Sequence, residues 1–402
     1  MLVEILQFLK MIFEGALYYL PIHMVIFVLT PLFIRVILAK KYSPAHSLER
    51  DVVKISVVIP EYKEDLAIFE RCLRSVVENK PDEIIVVHDD QRAEIIDLAK
   101  KYGATVYSFP VRVGKRRALV QGWTMARGDI IVQIDSDVVL HANAINEIVK
   151  PFSDDTVMGV QGKSLVYRTN SWFSWRMSQL IEFNRDISNK ALNGHLVVVD
   201  GRFNAWRRWW LLTVADSFLN ERFLGRKCEI GDDRFLTWRA NLEGYKTVYQ
   251  ATAVAETAAP PTYIQFLRQQ LRWLRSGYKA FFKDISSGLV RKVSWSYNLF
   301  QVTYYLGSIS FTLAMIHDVL FAPLALSLPL WTIIPLAIFG SAMIATIRRF
   351  AIGFYQLTLK EFFMVGASSI FIAYPLSIYA LITIRAQDIW GTRHAPNEAS
   401  VK

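Results

Sequence analysis

Four stretches free of Asp, Glu, Lys and Arg divide this chain and limit the architectures open to it: residues 15–34, 293–317, 319–347 and 362–384. Each reaches the roughly 20 apolar-dominated residues that span a bilayer. Between the first and the second, residues 35–292 carry charges throughout, and the whole chain of 402 residues has room for one full globular domain there. The expected layout is therefore a globular domain between membrane segments. Glu4 and Glu14 precede the first stretch and no small-residue cleavage site follows it, so it reads as a retained anchor rather than a signal peptide. Pro21 and Pro31 within it are tolerated in membrane helices. Arg35, Lys40, Lys41 and Arg50 follow, and this positive bias puts the globular domain on the cytoplasmic side of a multi-pass cell-membrane protein. Cys72 and Cys228 are then expected as thiols.

The last stretch has cations on both sides, Arg348, Arg349 and Lys360 before it and Arg385 and Arg393 after it, and Pro375 interrupts its middle. A re-entrant or interfacial helix pair fits this better than a full span. Such a pair returns residues 390–393 to the cytoplasmic face. The net charge of +10 would suit nucleic acid, yet the chain shows no nucleic-acid module signature. Anionic lipid and an anionic small substrate account for the charge instead, and no nucleic-acid partner is expected.

Within the globular part, residues 54–60, 83–88, 105–109 and 130–140 read as buried strands, and 66–79, 92–102 and 115–125 have helical spacing. This alternation predicts an α/β domain with a parallel, Rossmann-like sheet. Residues 157–166 and 196–206 are weaker strand candidates around a helix rich in aromatics at 172–192. Residues 235–243 read as a helix, 246–254 as a closing strand, and 262–282 as a basic amphipathic helix suited to a membrane interface. The organisation expected is an anchor over 1–40, the globular domain over 41–260, interfacial helices over 261–292, two spans over 293–347, and re-entrant or interfacial helices with a closing loop over 348–402.

The strand at 130–140 carries Asp135-Ser136-Asp137 at its exit, where open α/β sheets place ligands. Two residues apart on an extended chain, the carboxylates share a face. They supply the hard oxygens that a divalent cation on a diphosphate needs, though Asp and Ser equally cap turns. Gly114-Lys115-Arg116-Arg117 at a helix start suits phosphate, or is a solvated basic cap. Asp232-Asp233 after Gly231, at a helix start, reads on its own as N-capping and dipole complementation. Gln269, Arg272 and Trp273 fall within one helical turn, suiting a sugar ring or a membrane-interface anchor.

Together with Glu61-Tyr62-Lys63-Glu64-Asp65, Asp89-Asp90 and Trp390-Gly391-Thr392-Arg393, this series resembles the processive, membrane-embedded family 2 glycosyltransferases. It is most similar to hyaluronan synthases, with nodulation-type chitin-oligosaccharide synthases next. The specific pieces are the run from Arg222 to Arg234 and the Trp-Gly-Thr-Arg near the end. The resemblance implies a GT-A type domain with a mixed sheet joined to transmembrane and interfacial helices. It also implies an inverting β-glycosyltransferase that polymerises UDP-sugars on a growing polysaccharide, with Mg²⁺ or Mn²⁺, and passes the product across the membrane. The product would be hyaluronan-like, from UDP-GlcNAc and UDP-GlcA, or chitin-like, from UDP-GlcNAc alone. Transfer to a lipid-linked acceptor and an inactive scaffold are the competing readings.

By the same resemblance, Tyr62, Glu64 and one of Asp89 and Asp90 would hold the uridine. Lys115, Asp135, Arg272, Trp390 and Arg393 would bind the donor, and Asp137 the metal. Asp233 would be the base, while Gln269, Trp273, Cys228 and Asp232 would face the acceptor. Two departures stand out: His88 in place of an acidic residue, and Asp200 to Trp206 in place of a Gly-rich segment.

Overall fold

The computed structural model describes residues 24–46, 53–90, 92–326 and 358–386. Among the described residues two compact units emerge, one over 41–294 with 384–386 and one over 24–40 with 295–383.

The first of these is built on an eight-stranded sheet. Its strands are β1 (Ile55–Glu61), β2 (Glu83–His88), β3 (Thr105–Ser108), β4 (Ile130–Ile134), β5 (Val139–Leu140), β6 (Val157–Tyr167), β7 (Phe203–Arg207) and β10 (Lys246–Ala258). A separate hairpin pairs β8 (Arg222–Phe223) with β9 (Arg226–Lys227). The sheet order is β3-β2-β1-β4-β7-β6-β10-β5. β1 runs parallel to β2 and β4, as expected for continuous apolar strands covered on both faces. The expectation of a parallel sheet fails at β7, which runs antiparallel to both β4 and β6. The sheet is mixed.

The helices are α1 (Leu66–Glu78), α2 (Ala93–Lys101), α3 (Lys115–Met125), α4 (Ala144–Val149), α5 (Trp172–Ala191), α6 (Arg208–Leu219), α7 (Asp232–Leu242) and α8 (Tyr263–Ser286). Side chains cap several of them. Asp65 accepts from the N–H groups of Ala67 and Ile68, and Ser171 and Thr262 cap α5 and α8. Phe69, Leu73 and Val76 of α1 pack on Val57, Val86 and Val132 of the central strands, all fully buried. The strand expected at 196–206 shrinks to β7 because its first half is held by side chains instead of a ladder. The N–H groups of Leu196, Val199 and Asp200 donate to Thr247 Oγ1, Thr237 Oγ1 and Gln161 Oε1.

Strand order turns between β1 and β4, the switch point at which such sheets form a crevice beyond their strand ends. Glu61-Tyr62 leaves β1 there and Asp135-Ser136-Asp137 leaves β4. Residues 135–138 turn rather than extend, with the Val138 N–H on the Asp135 carbonyl at 3.1 Å.

The other unit is helical: a π-helical turn Met24–Leu29 running into Thr30–Lys40, the helix Trp295–Leu326, and Leu359–Ser368 continuing through a π-helical turn, Ser369–Ala373, into Tyr374–Ile382. Pro375 sits in the first turn after the π segment, where its missing N–H costs least. Phe311 stacks on Tyr374 at 4.0 Å between centroids, and the Arg35 guanidinium lies over Phe300 at 4.5 Å. Among the described residues no helix is long and apolar enough to cross a membrane. The expected membrane segments at 15–23 and 327–347, and the loop bearing Trp390 and Arg393, lie outside the described residues.

Candidate active site

A cavity of about 230 Å³ opens at the crevice between β1 and β4. One side of it is formed by Tyr62, Asp89, Lys115, Asp135 and Asp137. Lys115 is brought there because Gly114, in a left-handed conformation (φ 87°), turns the chain into α3. Lys115 Nζ lies 2.7 Å from Asp135 Oδ1 and 3.4 Å from Asp232 Oδ2, tying α3, the β4 exit and α7 together. Burial pushes the Lys115 ammonium toward neutrality, but Asp135 and Asp232 outweigh it and keep it charged. Burial, with Asp137 and Asp232 close by, raises the Asp135 carboxyl even though Lys115 opposes it. Two hard carboxylates that repel each other suit a divalent cation.

Asp89 accepts from the N–H groups of Val113 (2.7 Å) and Gly114 (2.9 Å), so its carboxylate shapes the turn that delivers Lys115. Burial raises its carboxyl, partly offset by those two donors. Arg112 on the same turn places its guanidinium 4.4 Å from the Tyr62 ring centre. Asp90 turns away from the cavity. Both ring nitrogens of buried His88 meet carboxylates, Nδ1 that of Glu61 and Nε2 that of Asp90 at 2.7 Å. Arg92 closes the network at 2.9 Å from Glu61 and 2.7 Å from Asp90. Glu61, His88 and Asp90 have the spacing of metal ligands, but the Arg92 guanidinium already occupies the cation's place. His88 thus decides between the two aspartates: Asp90 is consumed in the interior and Asp89 lines the cavity.

The opposite side is formed by Asp232, Asp233, Gln269, Arg272 and Trp273. Gly231, at φ 76°, starts α7 as its N-cap. A Cβ there would lie 2.3 Å from Ser276 Oγ of α8, and the positive φ favours glycine as well. The adjacent aspartates differ in environment. Burial raises the Asp232 carboxyl, but Lys115 and Arg116 more than reverse that and leave it low. Asp233 is raised to about 6 by burial, Asp232 and Asp200, against Arg234 and Lys115. Paired carboxyls pushed apart in this way are the usual mark of divided acid and base roles. Arg272 Nε is buried and has no hydrogen-bond partner.

The structure therefore gathers Tyr62, Asp89, Lys115, Asp135, Asp137, Asp232, Asp233, Gln269, Arg272 and Trp273 around one cavity. Glu64 lies off it, accepting from Ser136 Oγ at 3.0 Å beneath the Asp135–Asp137 turn. Cys228 is fully buried away from the lining, and burial raises its thiol. Arg116, read from sequence with a phosphate-binding cluster, instead turns inward to Glu221 at 2.6 Å. Lys279, on the helix that reads from sequence as basic and amphipathic, is buried on the same glutamate at 3.1 Å.

Residues 53–276, more than half of the chain, match the model of the glycosyltransferase like family 2. The chain belongs to that family. It is 27% identical over 370 residues to an N-acetylglucosaminyltransferase of Rhizobium meliloti, covering 88% of this chain and 84% of that one. It is 28% identical over 397 residues to the hyaluronan synthase of Streptococcus pyogenes serotype M1, covering 92% and 90%. A solved mannosyltransferase from Pyrobaculum calidifontis, in complex with GDP-Man and Mn²⁺, superposes with a TM-score of 0.62 at 17% identity over 90% of this chain and 99% of that one. The mixed curled sheet is thus the GT-A type fold, in a family 2 glycosyltransferase.

Around the cavity of this glycosyltransferase stand residues that sequence reasoning did not single out. Glu182 and Arg185 reach it from α5, beside Asp200 and Arg202. Ser178, Glu182 and Arg185 recur at intervals of four and three, a helical face, so a polar stripe on an aromatic-rich helix was the available signal.

Proposed function

We propose that this glycosyltransferase adds UDP-linked sugars, one after another, to the end of a growing polysaccharide, with inversion at the anomeric carbon. The observation that supports this is the single cavity shared by Lys115, Asp135 and Asp137 on one side and Asp233, Gln269 and Trp273 on the other. Asp233 accepts the proton of the acceptor hydroxyl, whose oxygen forms a bond to the anomeric carbon. The bond from that carbon to the diphosphate oxygen breaks, and UDP departs with the electron pair. Lys115 and Arg272, which line the same cavity, take up the departing charge.

Asp137, with Asp135, would hold Mg²⁺ or Mn²⁺, which neutralises diphosphate charge. Tyr62 and Asp89 take the uridine, and Glu64 and Asp90 support that side from beneath. Trp273 offers an apolar face to the acceptor ring, with Gln269 and Asp232 alongside. Cys228 backs the acceptor side, and Trp390 with Arg393 closes over the nucleotide. The remaining helices carry the product across the cell membrane from a cytoplasmic catalytic domain, in contact with lipid.

The sugar is N-acetylglucosamine, alone as in chitin or alternating with glucuronic acid as in hyaluronan. Purified protein in detergent is incubated with Mn²⁺ or Mg²⁺ and UDP-sugars singly and in pairs. Polymer is expected, and chelation with EDTA should stop it until metal is restored. Polymer only with both UDP-GlcNAc and UDP-GlcA assigns the hyaluronan product. Polymer from UDP-GlcNAc alone assigns the chitin product. UDP release without polymer would overturn the processive reading in favour of a lipid-linked acceptor.

A further inference from the structure

The cavity wall beside Trp273 is made of charges that are already matched. Glu182 takes Arg185 Nη1 at 3.0 Å and Arg202 Nη2 at 2.9 Å. Asp200 Oδ2 takes the same two guanidiniums at 2.5 and 2.6 Å, and its Oδ1 accepts from Arg202 Nε at 2.9 Å. Two cations and two anions thus close a ring with no net charge. The guanidiniums of Arg185 and Arg202 lie 5.1 and 5.9 Å from the centre of the Trp273 ring, within cation–π range, so the ring and the quartet form one surface. Ser178 and Ser276 line the same cavity. Both are more than nine-tenths buried, and neither hydroxyl has a hydrogen-bond partner.

We propose that this wall selects an acceptor whose terminal sugar is uncharged. The inference rests on the glycosyltransfer reading above and narrows its substrate class. A neutral ring lays its C–H face on Trp273 and donates hydroxyl protons to the remaining lone pairs of Glu182 and Asp200. A uronate carboxylate in the same place meets guanidiniums that two protein carboxylates already hold. Asp232 and Asp233 add further negative charge nearby. Of the cavity's other cations, Arg112 lies over the Tyr62 ring, Lys115 is held by Asp135 and Asp232, Arg234 stands beside Asp233, and Arg272 serves the diphosphate. To pair with Arg185 or Arg202 the uronate would have to displace Glu182 or Asp200. Selection here works by leaving the wrong group unpaired. Chain growth by one uncharged sugar fits this wall, and alternation with a uronic acid does not.

The test gives the full chain in detergent, with UDP-GlcNAc and Mn²⁺, matched oligosaccharide acceptors ending in N-acetylglucosamine, in glucuronic acid, or in the methyl ester of glucuronic acid. The uncharged end is expected to give a kcat/KM at least about tenfold above the uronate end. The methyl ester should recover most of that difference, since it removes the charge without touching the protein. Glu182→Gln should narrow the preference at least about threefold by freeing Arg185 and Arg202 for a substrate carboxylate. Equal or better use of the uronate end, with no gain from esterification, overturns the proposal while leaving glycosyltransfer intact. Absence of both UDP release and transfer with every acceptor overturns the glycosyltransfer reading itself, and this inference with it.

Discussion

Asp233→Asn is expected to lower transfer about 10²- to 10⁴-fold, the usual contribution of a positioned base, while UDP binding is retained. The substitution keeps the shape of the side chain and leaves Lys115, Asp135 and Arg272 untouched, so the donor side should be unaltered. Isothermal titration with UDP and a coupled assay of transfer separate the two. Asp232 is the obvious rival for the role, but Lys115 lies 3.4 Å from it and holds it low, which makes a weak base. Asp233, at about 6, is ionised near neutrality and still basic enough to take a proton. The rate should therefore rise with pH through about 6, and that limb should vanish in the residual activity of Asp233→Asn. Stability should move the other way. The Asp233 carboxyl is raised in the fold, so its contribution is fullest below its ordinary value of 3.8 and is lost as pH climbs through about 6. Asn escapes that loss, and the variant should melt higher than the parent at pH 8 but not at pH 4. Wild-type transfer by Asp233→Asn would remove Asp233 from the base position.

Much of this site could be read from residue order because its parts sit at strand ends and helix starts, which leave local marks. The apolar runs of β1, β2 and β4 are buried on both faces, and the aspartates that follow them stand out against them. The antiparallel insertion of β7 left no such mark, since strand orientation is fixed by partners about 70 residues away, such as Ile131 opposite Trp206. Lys115, Arg116 and Arg117 show the same limit at the scale of one helical turn. At about 100° per residue they point in three directions: one to the cavity, one to the interior and one to solvent. Only the distant Glu221 tells which is which. His88 stands out in the sequence as a departure, yet that it holds Asp90 between itself and Arg92 is visible only in three dimensions.

Glu221→Gln should cost about 3–5 kcal/mol of stability, a melting point lower by roughly 10 °C, because it leaves buried cations facing one another. Glu221 Oε2 accepts from Arg116 at 2.6 Å and Lys279 at 3.1 Å, and Oε1 from Lys283 at 2.7 Å. Arg116 and Lys279 are buried, and both also donate to the Ile230 carbonyl, at 3.2 and 3.1 Å. That carbonyl lies one residue before Gly231, so the glutamate joins the helix of Lys115, the helix of Arg272 and Trp273, and the loop that starts Asp232-Asp233. Loosening this joint should displace the base relative to the donor, and a shift of about 1 Å can cost on the order of 10²-fold in rate. The loss should therefore appear in kcat at temperatures well below melting, with the KM for UDP-sugar changed less. Burial raises the Glu221 carboxyl, but Lys279, Arg116 and Lys283 more than reverse this and bring it to about 2. Its stabilisation is thus complete above its ordinary value of 4.5 and is lost as pH falls from there toward 2. Melting curves of parent and variant should lie furthest apart above pH 5 and converge as the medium is acidified. Equal stability at pH 7 would mean that the three cations find other partners and that Glu221 does not hold the joint.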